Sequence, residues 1–388
     1  VEHPGPVLEP AGHHPPPRAP GEVGPPEAGR RGVLIRAHGA VLPGGVVGAV
    51  EIEVAGGRIV AVRPVPDPPG PRHTLVPGFV DLQVNGIGDV DVASAVGDDW
   101  SALDAALVAQ GVTAWCPTLV SAPLDAYREP LARIAGAARR PGPRPAILGA
   151  HLEGPFLGER LGAHRSAAVV APDLSWADAL DPVVRLMTVG PEAPRALDLI
   201  RTLAERGVVV ALGHTAAAPE VLAAGVQAGA TLFTHVFNAS GGIAARVPGA
   251  AGAALADDRL TVTLIADLVH VHPSTLTVAL RAKPAAKVVL VTDSVALTGY
   301  DLDAGAPRLG DGTLAGSALT MDQAVRNLVG AVGVDLATAV GAAATNPARV
   351  MGAHDRGRIA PGARADLVLL DEDLGVARVW IGGEPVAG

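Results

Sequence analysis

The sequence predicts an α/β protein, a (β/α)8 TIM-like barrel that carries a small β-sandwich domain built from both chain ends. Three observations predict it. Through the middle of the chain, strand-like apolar runs alternate with helix-like segments. Hairpin-like pieces stand near the two ends. Several of the apolar runs finish in Glu, His or Asp, as strands do at the C-terminal rim of a catalytic barrel. An open doubly wound sheet is the competing architecture, but no Gly-rich phosphate turn follows the first strand.

Composition narrows the function classes. The 388 residues are 49% hydrophobic, enough for a large core or two domains. Aromatics make up only 3%, so Val, Leu, Ile and Ala must fill the interior. A formal charge of −9 provides no field for nucleic acid or an anionic membrane, and does not exclude a local Arg pocket for a small anion. Cys116 is the single cysteine, so no internal disulfide can form. It lies in an apolar run and reads as a buried hydrophobe, and a reducing, cytoplasmic location is expected. No apolar run is long enough to span a bilayer. The N-terminus shows no basic start followed by an apolar stretch, so no secretory signal is expected.

In chain order, residues 1–30 are Pro-rich, with Pro15-Pro16-Pro17 and Pro25-Pro26, and read as a disordered tail. Residues 31–76 and 355–388 supply the small β domain. Its pieces are the runs 33–35, 50–54 and 58–62, the last two joined through Ala55-Gly56-Gly57, and the runs 365–370 and 376–381. Residues 77–354 form the barrel. Its strands end near Val84, Leu119, Leu152, Val189, Leu212, Phe233, Ala266 and Val291. Helices are expected over 100–110, 124–139, 195–206, 219–228, 273–281 and 321–330. The strand runs are apolar on both faces, as parallel strands buried between layers require.

The polar strand ends carry the chemistry. Glu153 follows an apolar run and precedes Gly154-Pro155. Burying its charge unpaired would cost several kcal/mol, so it needs a cation, either an arginine or a metal. His214 and His235 end two later runs. Each alone reads as a hydrogen-bonded core histidine. Together with Glu153 they make a Glu-His-His set that leaves a position open for water, as catalytic zinc sites do. Asp293 ends the eighth run and could take a proton from water and pass it to a leaving group, or else cap a helix. On the first strand, alternation puts Asp81, Gln83 and Asn85 on one face. Gln83 and Asn85 stand where a His-x-His pair would bind a second metal. Amides bind transition metals poorly and hold water well. Neither lysine, Lys283 or Lys287, ends a strand where a carboxylated side chain could bridge two metals. One tightly held divalent metal per chain is expected, zinc first and iron next. His270 and His272 end the seventh strand. Either could polarise a carbonyl, and spacing does not rank them.

These residues lie in stretches that resemble a known family. The stretches are Pro-Gly-Phe-Val-Asp-Leu-Gln-Val-Asn-Gly (77–86), His-Leu-Glu-Gly-Pro-Phe (151–156), Gly-His-Thr (213–215) and Thr-His-Val-Phe-Asn-Ala (234–239), with Ile-Ala-Asp-Leu-Val-His (265–270), Val-Thr-Asp (291–293) and Leu-Ala-Gly-Ser-Ala-Leu-Thr-Met (314–321). Over about residues 32–388 the chain resembles the N-acetylglucosamine-6-phosphate deacetylases of the amidohydrolase superfamily. The resemblance implies metal-dependent hydrolysis of the acetamide of N-acetylglucosamine 6-phosphate to glucosamine 6-phosphate and acetate, in amino-sugar catabolism or recycling, with water activated at the metal as nucleophile. It implies Glu153, His214 and His235 as metal ligands, Asp293 as the acid/base and His270 as the contact to the acetamido group. It implies sugar-phosphate contacts from Ala163, His164, Asn238 and Ala239. Leu314, Ala315 and Gly316 would line the acetyl side. Arg246 would bind the phosphate from a neighbouring subunit of a homodimer. Nucleic acid and membrane are not expected partners. Departures from the family occur at Ser240, Val247 and Leu268, and the loop between Glu153 and His164 is one residue short, all on the substrate side. Two other readings remain: another single-metal amidohydrolase, acting on the galacto epimer or on N-acyl amino acids, and a non-catalytic barrel scaffold, which would need neither Asp293 nor the three ligands.

Overall fold

The computed structural model describes residues 32–387; the disordered tail expected over residues 1–30 lies outside them. Eight strands run in parallel: β1 Phe79–Val84, β2 Val112–Val120, β3 Ala150–Glu153, β4 Val184–Val189, β5 Val209–Leu212, β6 Leu232–Phe233, β7 Thr261–Leu264 and β8 Val288–Leu290. Each pairs with the next in chain order. Just beyond β8 the chain returns to β1. Asp293 N–H donates to the Gln83 carbonyl at 2.9 Å, and Asn85 N–H to the Ser294 carbonyl at 2.8 Å. The sheet thereby comes round on itself as the expected (β/α)8 barrel, and the open doubly wound sheet is excluded. Every residue of β1, β3 and β7 is buried, because one face points into the barrel and the other lies under helices.

Helices Asp99–Ala109, Ala196–Glu205, Pro219–Ala228 and Pro273–Ala282 lie where the sequence places them, within a residue at each end. Proline opens the last two, where the first turn has no use for its missing N–H. The helix expected over 124–139 begins as a tight 3-10 turn, Leu124–Tyr127, and becomes α-helical over Arg128–Ala137. The one expected over 321–330 is α-helical only to Asn327 and then widens through Val332. Helix Gly249–Ala256, after β6, was not expected. It is built from Gly, Ala and one Leu, so no polar face gives it a period.

Strands from both chain ends form two further sheets. Val33–Ala37, Val50–Ala55 and Arg58–Pro64 make an antiparallel three-stranded sheet. A six-stranded sheet interleaves Gly45–Val47, Gly39–Leu42 and Thr74–Pro77 with Leu367–Leu370, Val376–Ile381 and Glu384–Val386. The two chain ends meet where Thr74–Pro77 pairs antiparallel with Leu367–Leu370. A separate apolar cluster holds these sheets together, with Ile35, Ile52, Ile59, Leu75, Leu367 and Trp380 among its members. Thr74–Pro77 runs straight into β1, so this unit anchors the strand that carries Gln83 and leads into Asn85. Among the described residues no helix is long and apolar enough to cross a membrane.

Candidate active site

The C-terminal ends of β3, β5, β6 and β8 bring Glu153, His214, His235 and Asp293 into one buried cluster. His214 Nε2 lies 3.0 Å and His235 Nε2 2.9 Å from the same carboxylate oxygen, Glu153 Oε1. From β1, Gln83 Nε2 donates to that oxygen and to Asp293 Oδ1, at 2.9 Å each. Asn85 Nδ2 also donates to Asp293 Oδ1 at 2.9 Å. His214, His235 and Asp293 have φ values of 50°, 28° and 51°. Non-glycine residues seldom occupy this left-handed region, and holding them there costs on the order of 1–3 kcal/mol each. These three residues stand just beyond the ends of β5, β6 and β8 and bring their side chains to the cluster around Glu153.

The electrostatics split the two carboxyls. Burial by itself would raise the Glu153 carboxyl, but His164, His214 and His235 around it hold it well below the usual carboxylate range. For Asp293 the pull of His235 and the Asn85 amide is outweighed. Burial, and then the neighbouring Glu153 charge, push its carboxyl up to about 8. Below them, burial lifts Asp81 to about 7, although the Thr292 hydroxyl donates to it at 2.6 Å.

The histidine tautomers test whether the donor set fits a metal. His214 Nδ1 faces the carbonyls of Arg160 and Leu161, at 3.1 and 3.2 Å. Carbonyls only accept, so Nδ1 carries the proton and Nε2 presents a lone pair to Glu153 Oε1. Two electron-rich atoms that close require either a second ring proton or a cation between them. A ring anchored through its other N–H is how metal-binding histidines are usually held. His235 Nδ1 is buried with no partner among the described residues. By distance, the donor atoms that lie within 4.8 Å of one another are those of Glu153, His164 and His214, a set that has His164 in place of His235. His164 has the opposite tautomer, however. The Ser121 N–H donates to its Nδ1 at 3.3 Å, with Ser121 Oγ at 2.8 Å, so the proton sits on Nε2, 3.7 Å from Glu153 Oε2. His164 is thus a hydrogen-bond donor into the site. A glutamate with two imidazole nitrogens fits a divalent metal of the zinc type. The lysines precede β8 and are engaged by the loop that leads into β7, at the other end of the barrel: Lys283 Nζ donates to the Asp257 carbonyl and Lys287 Nζ to the Arg259 carbonyl.

Other expected site residues lie beside this cluster. Asn238 Nδ2 donates to the His235 carbonyl at 3.3 Å, and the Ala239 carbonyl accepts Thr215 N–H at 3.0 Å. The stretch Leu314-Ala315-Gly316 runs past Asp293, whose carbonyl accepts Ser317 N–H at 2.8 Å. Gly316 has φ 77°, and a Cβ there would come within 2.8 Å of that carbonyl oxygen. Ala163 adjoins His164 in the loop after β3. Of the two histidines beyond β7, His272 is exposed and accepts Ser274 N–H at 3.2 Å, capping helix Pro273–Ala282. His270 has a buried ring whose Nδ1–H donates to Asp267 Oδ2 at 2.6 Å, so it is the one suited to a site. It makes no hydrogen bond to the Glu153 cluster among the described residues. Arg246 stands apart, exposed and without an ion pair among the described residues. Its loop also exposes Ile243 and Val247, at 52% and 70%. Two contributors escaped the sequence reading. Asp267 could have been found as an acid three residues before His270; Ser121, distant in the chain from His164, offers no such signal.

The model of the Amidohydrolase family matches residues 74–386. The chain is 34% identical over 371 residues to N-acetylgalactosamine-6-phosphate deacetylase from Escherichia coli O157:H7, covering 90% of this chain and 98% of the relative. It is 38% identical over 350 residues to N-acetylglucosamine-6-phosphate deacetylase from Homo sapiens, covering 80% and 83%. Among solved structures, a variant of N-acetyl-D-glucosamine-6-phosphate deacetylase from Mycobacterium smegmatis, in complex with N-acetyl-D-glucosamine-6-phosphate, superposes with a TM-score of 0.86 at 34% identity, covering 92% of this chain and 100% of that one. The chain belongs to the amidohydrolase family and, within it, to the N-acetylglucosamine-6-phosphate deacetylases.

Proposed function

We propose that this chain hydrolyses the acetamide of N-acetylglucosamine 6-phosphate to glucosamine 6-phosphate and acetate, in amino-sugar catabolism or recycling. The observation that carries this reading is the convergence of His214 and His235 on Glu153 Oε1, with Asp293 tied to the same point through Gln83. Glu153, His214 Nε2 and His235 Nε2 would hold one divalent metal, zinc first and iron next. When bound, the metal supplies Lewis-acid activation of water and of the acetyl carbonyl.

The remaining roles belong to the chain's own residues. Asp293 Oδ1 is taken by the amides of Gln83 and Asn85, which leaves Oδ2 to accept the water proton and deliver it to the departing nitrogen. Asp267 holds His270 through Nδ1 and so sets the ring that contacts the acetamido group and stabilises the acetyl oxygen as negative charge develops there. Leu314, Ala315 and Gly316 line the acetyl side. His164 Nε2–H, with Ala163, Asn238 and Ala239, contacts the sugar phosphate. Arg246, exposed and unpaired in its loop among the described residues, reaches the phosphate of a neighbouring subunit, which makes the working form a homodimer. A cytoplasmic location is part of the same reading, because the substrate is a phosphorylated sugar.

The test is acetate release from N-acetylglucosamine and N-acetylgalactosamine, each with and without a 6-phosphate. The reading predicts the highest kcat/KM for the phosphorylated gluco sugar. A higher value for the galacto epimer would move the specificity to that of the Escherichia coli relative. No acetate from any of the four would overturn the reading.

A further inference from the structure

His214 is gripped from two sides. Its carbonyl accepts Gly158 N–H at 3.0 Å, and its Nδ1–H points at the Arg160 and Leu161 carbonyls, so the segment 158–161 wraps the ring. On the other side the chain continues directly into Thr215 and Ala216. Glu192, just beyond the end of β4, fastens both. Its Oε2 accepts the Thr215 hydroxyl at 2.5 Å, and its Oε1 accepts Ala216 N–H at 2.8 Å and Glu159 N–H at 3.1 Å.

The packing makes room for this carboxylate. A Cβ on Gly158 would lie 2.0 Å from Glu192 Oε1, so a glycine there lets the side chain take this position. A Cβ on Gly190 would lie 2.0 Å from the Gly158 nitrogen, so the end of β4 presses directly on the wrap. Glu192 forms no ion pair among the described residues; its hydrogen bonds all go to donors from the two segments that flank His214.

We propose that Glu192 is a positioning residue for the metal centre, setting the direction of His214 Nε2 by clamping the segments on either side of that ring. The inference rests on the metal-centre reading given above. Glu192 touches neither Glu153 nor a ligand nitrogen, and it acts through Thr215 and through the carbonyls that hold His214 Nδ1. Groups that orient metal-binding histidines typically account for roughly 10–100-fold in metal affinity.

The test compares wild type with Glu192→Ala and Glu192→Gln. Zinc affinity is read by competition with a chromogenic chelator, and the thermal midpoint is read on metal-free protein. Alanine removes all three bonds and is expected to weaken zinc binding roughly 10–100-fold. Glutamine keeps an oxygen for the two N–H groups but meets the Thr215 hydroxyl with a donor, so a smaller loss, about three- to tenfold, is expected. Metal-free midpoints close to wild type should accompany both. A lowered metal-free midpoint with unchanged zinc affinity would overturn the proposal and leave Glu192 as a loop fastener. If the alanine variant does not fold, the glutamine variant decides: unchanged zinc affinity overturns the proposal, and a loss of threefold or more supports it. If wild type itself binds no zinc, it is the metal-centre reading that fails, and the wild-type measurement shows this separately.

Discussion

Gln83 Nε2 stands 2.9 Å from Asp293 Oδ1, a hydrogen bond that ties the first strand of the barrel to the end of the last. The same nitrogen reaches Glu153 Oε1. A neutral amide therefore sits between two buried carboxyls with different work. Glu153 stays ionised among histidines, and Asp293 is left able to carry a proton.

Asp293→Asn keeps an oxygen for Gln83 and Asn85 and removes only the proton carrier. The variant should fold and keep its metal, while kcat falls by roughly 10²–10⁴. Steady-state kinetics alongside metal analysis checks this. Near-full turnover would refute the acid/base role.

His270→Gln should lower kcat by roughly 10²–10³, the usual effect of losing one oxyanion donor. Asp267→Asn should lower it in the same direction by less, since the ring remains. Zinc content should not change in either. Zinc lost together with His270 would make that residue a ligand and would sink the assignment.

Arg246→Ala should raise KM for the phosphorylated sugar by roughly 10–100-fold, the worth of one charge-assisted hydrogen bond of about 1.5–3 kcal/mol. Turnover of the unphosphorylated sugar, if measurable, should hardly move. Sedimentation of wild type should show a dimer. An equal loss on both sugars would make Arg246 structural, and a monomer with normal use of the phosphorylated sugar would remove the shared site.

His151, two residues before Glu153, predicts a pH dependence of stability. Its Nδ1–H donates to the Leu82 carbonyl at 3.1 Å, and its Nε2 lies 2.9 Å from the Thr188 hydroxyl. Burial keeps the ring neutral and pushes its pKa from 6.5 down to about 4. As pH falls below 6.5 the unfolded chain takes up a proton that the folded chain refuses. Stability is therefore lost between 6.5 and about 4, by up to roughly 3 kcal/mol from this group, with no further loss from it below that. Urea unfolding of metal-free wild type and His151→Gln across this range should show the steeper decline in wild type. Parallel curves would contradict the account.

Much of the barrel could be read from the chain because buried parallel strands are apolar on both faces and stop abruptly. Glu153, His214, His235 and Asp293 stand out for the same reason, as polar residues at the ends of apolar runs. Helix Gly249–Ala256 could not be read, because alanine and glycine carry no polar–apolar period. The distinction between His164 and His214 was also out of reach. It depends on which nitrogen meets Ser121 N–H and which meets two carbonyls, and spacing along the chain does not encode a tautomer. Glu192 reads in sequence as an ordinary loop acid, and only the fold brings Thr215 and Glu159 to it.

Chelator-treated protein titrated with zinc, with acetate release from N-acetylglucosamine 6-phosphate followed at each step, puts the whole account at risk. Activity should be absent without metal, rise in proportion to zinc bound and level off at one zinc per chain. Full activity in metal-free protein, or a plateau reached only at two metals per chain, would contradict it.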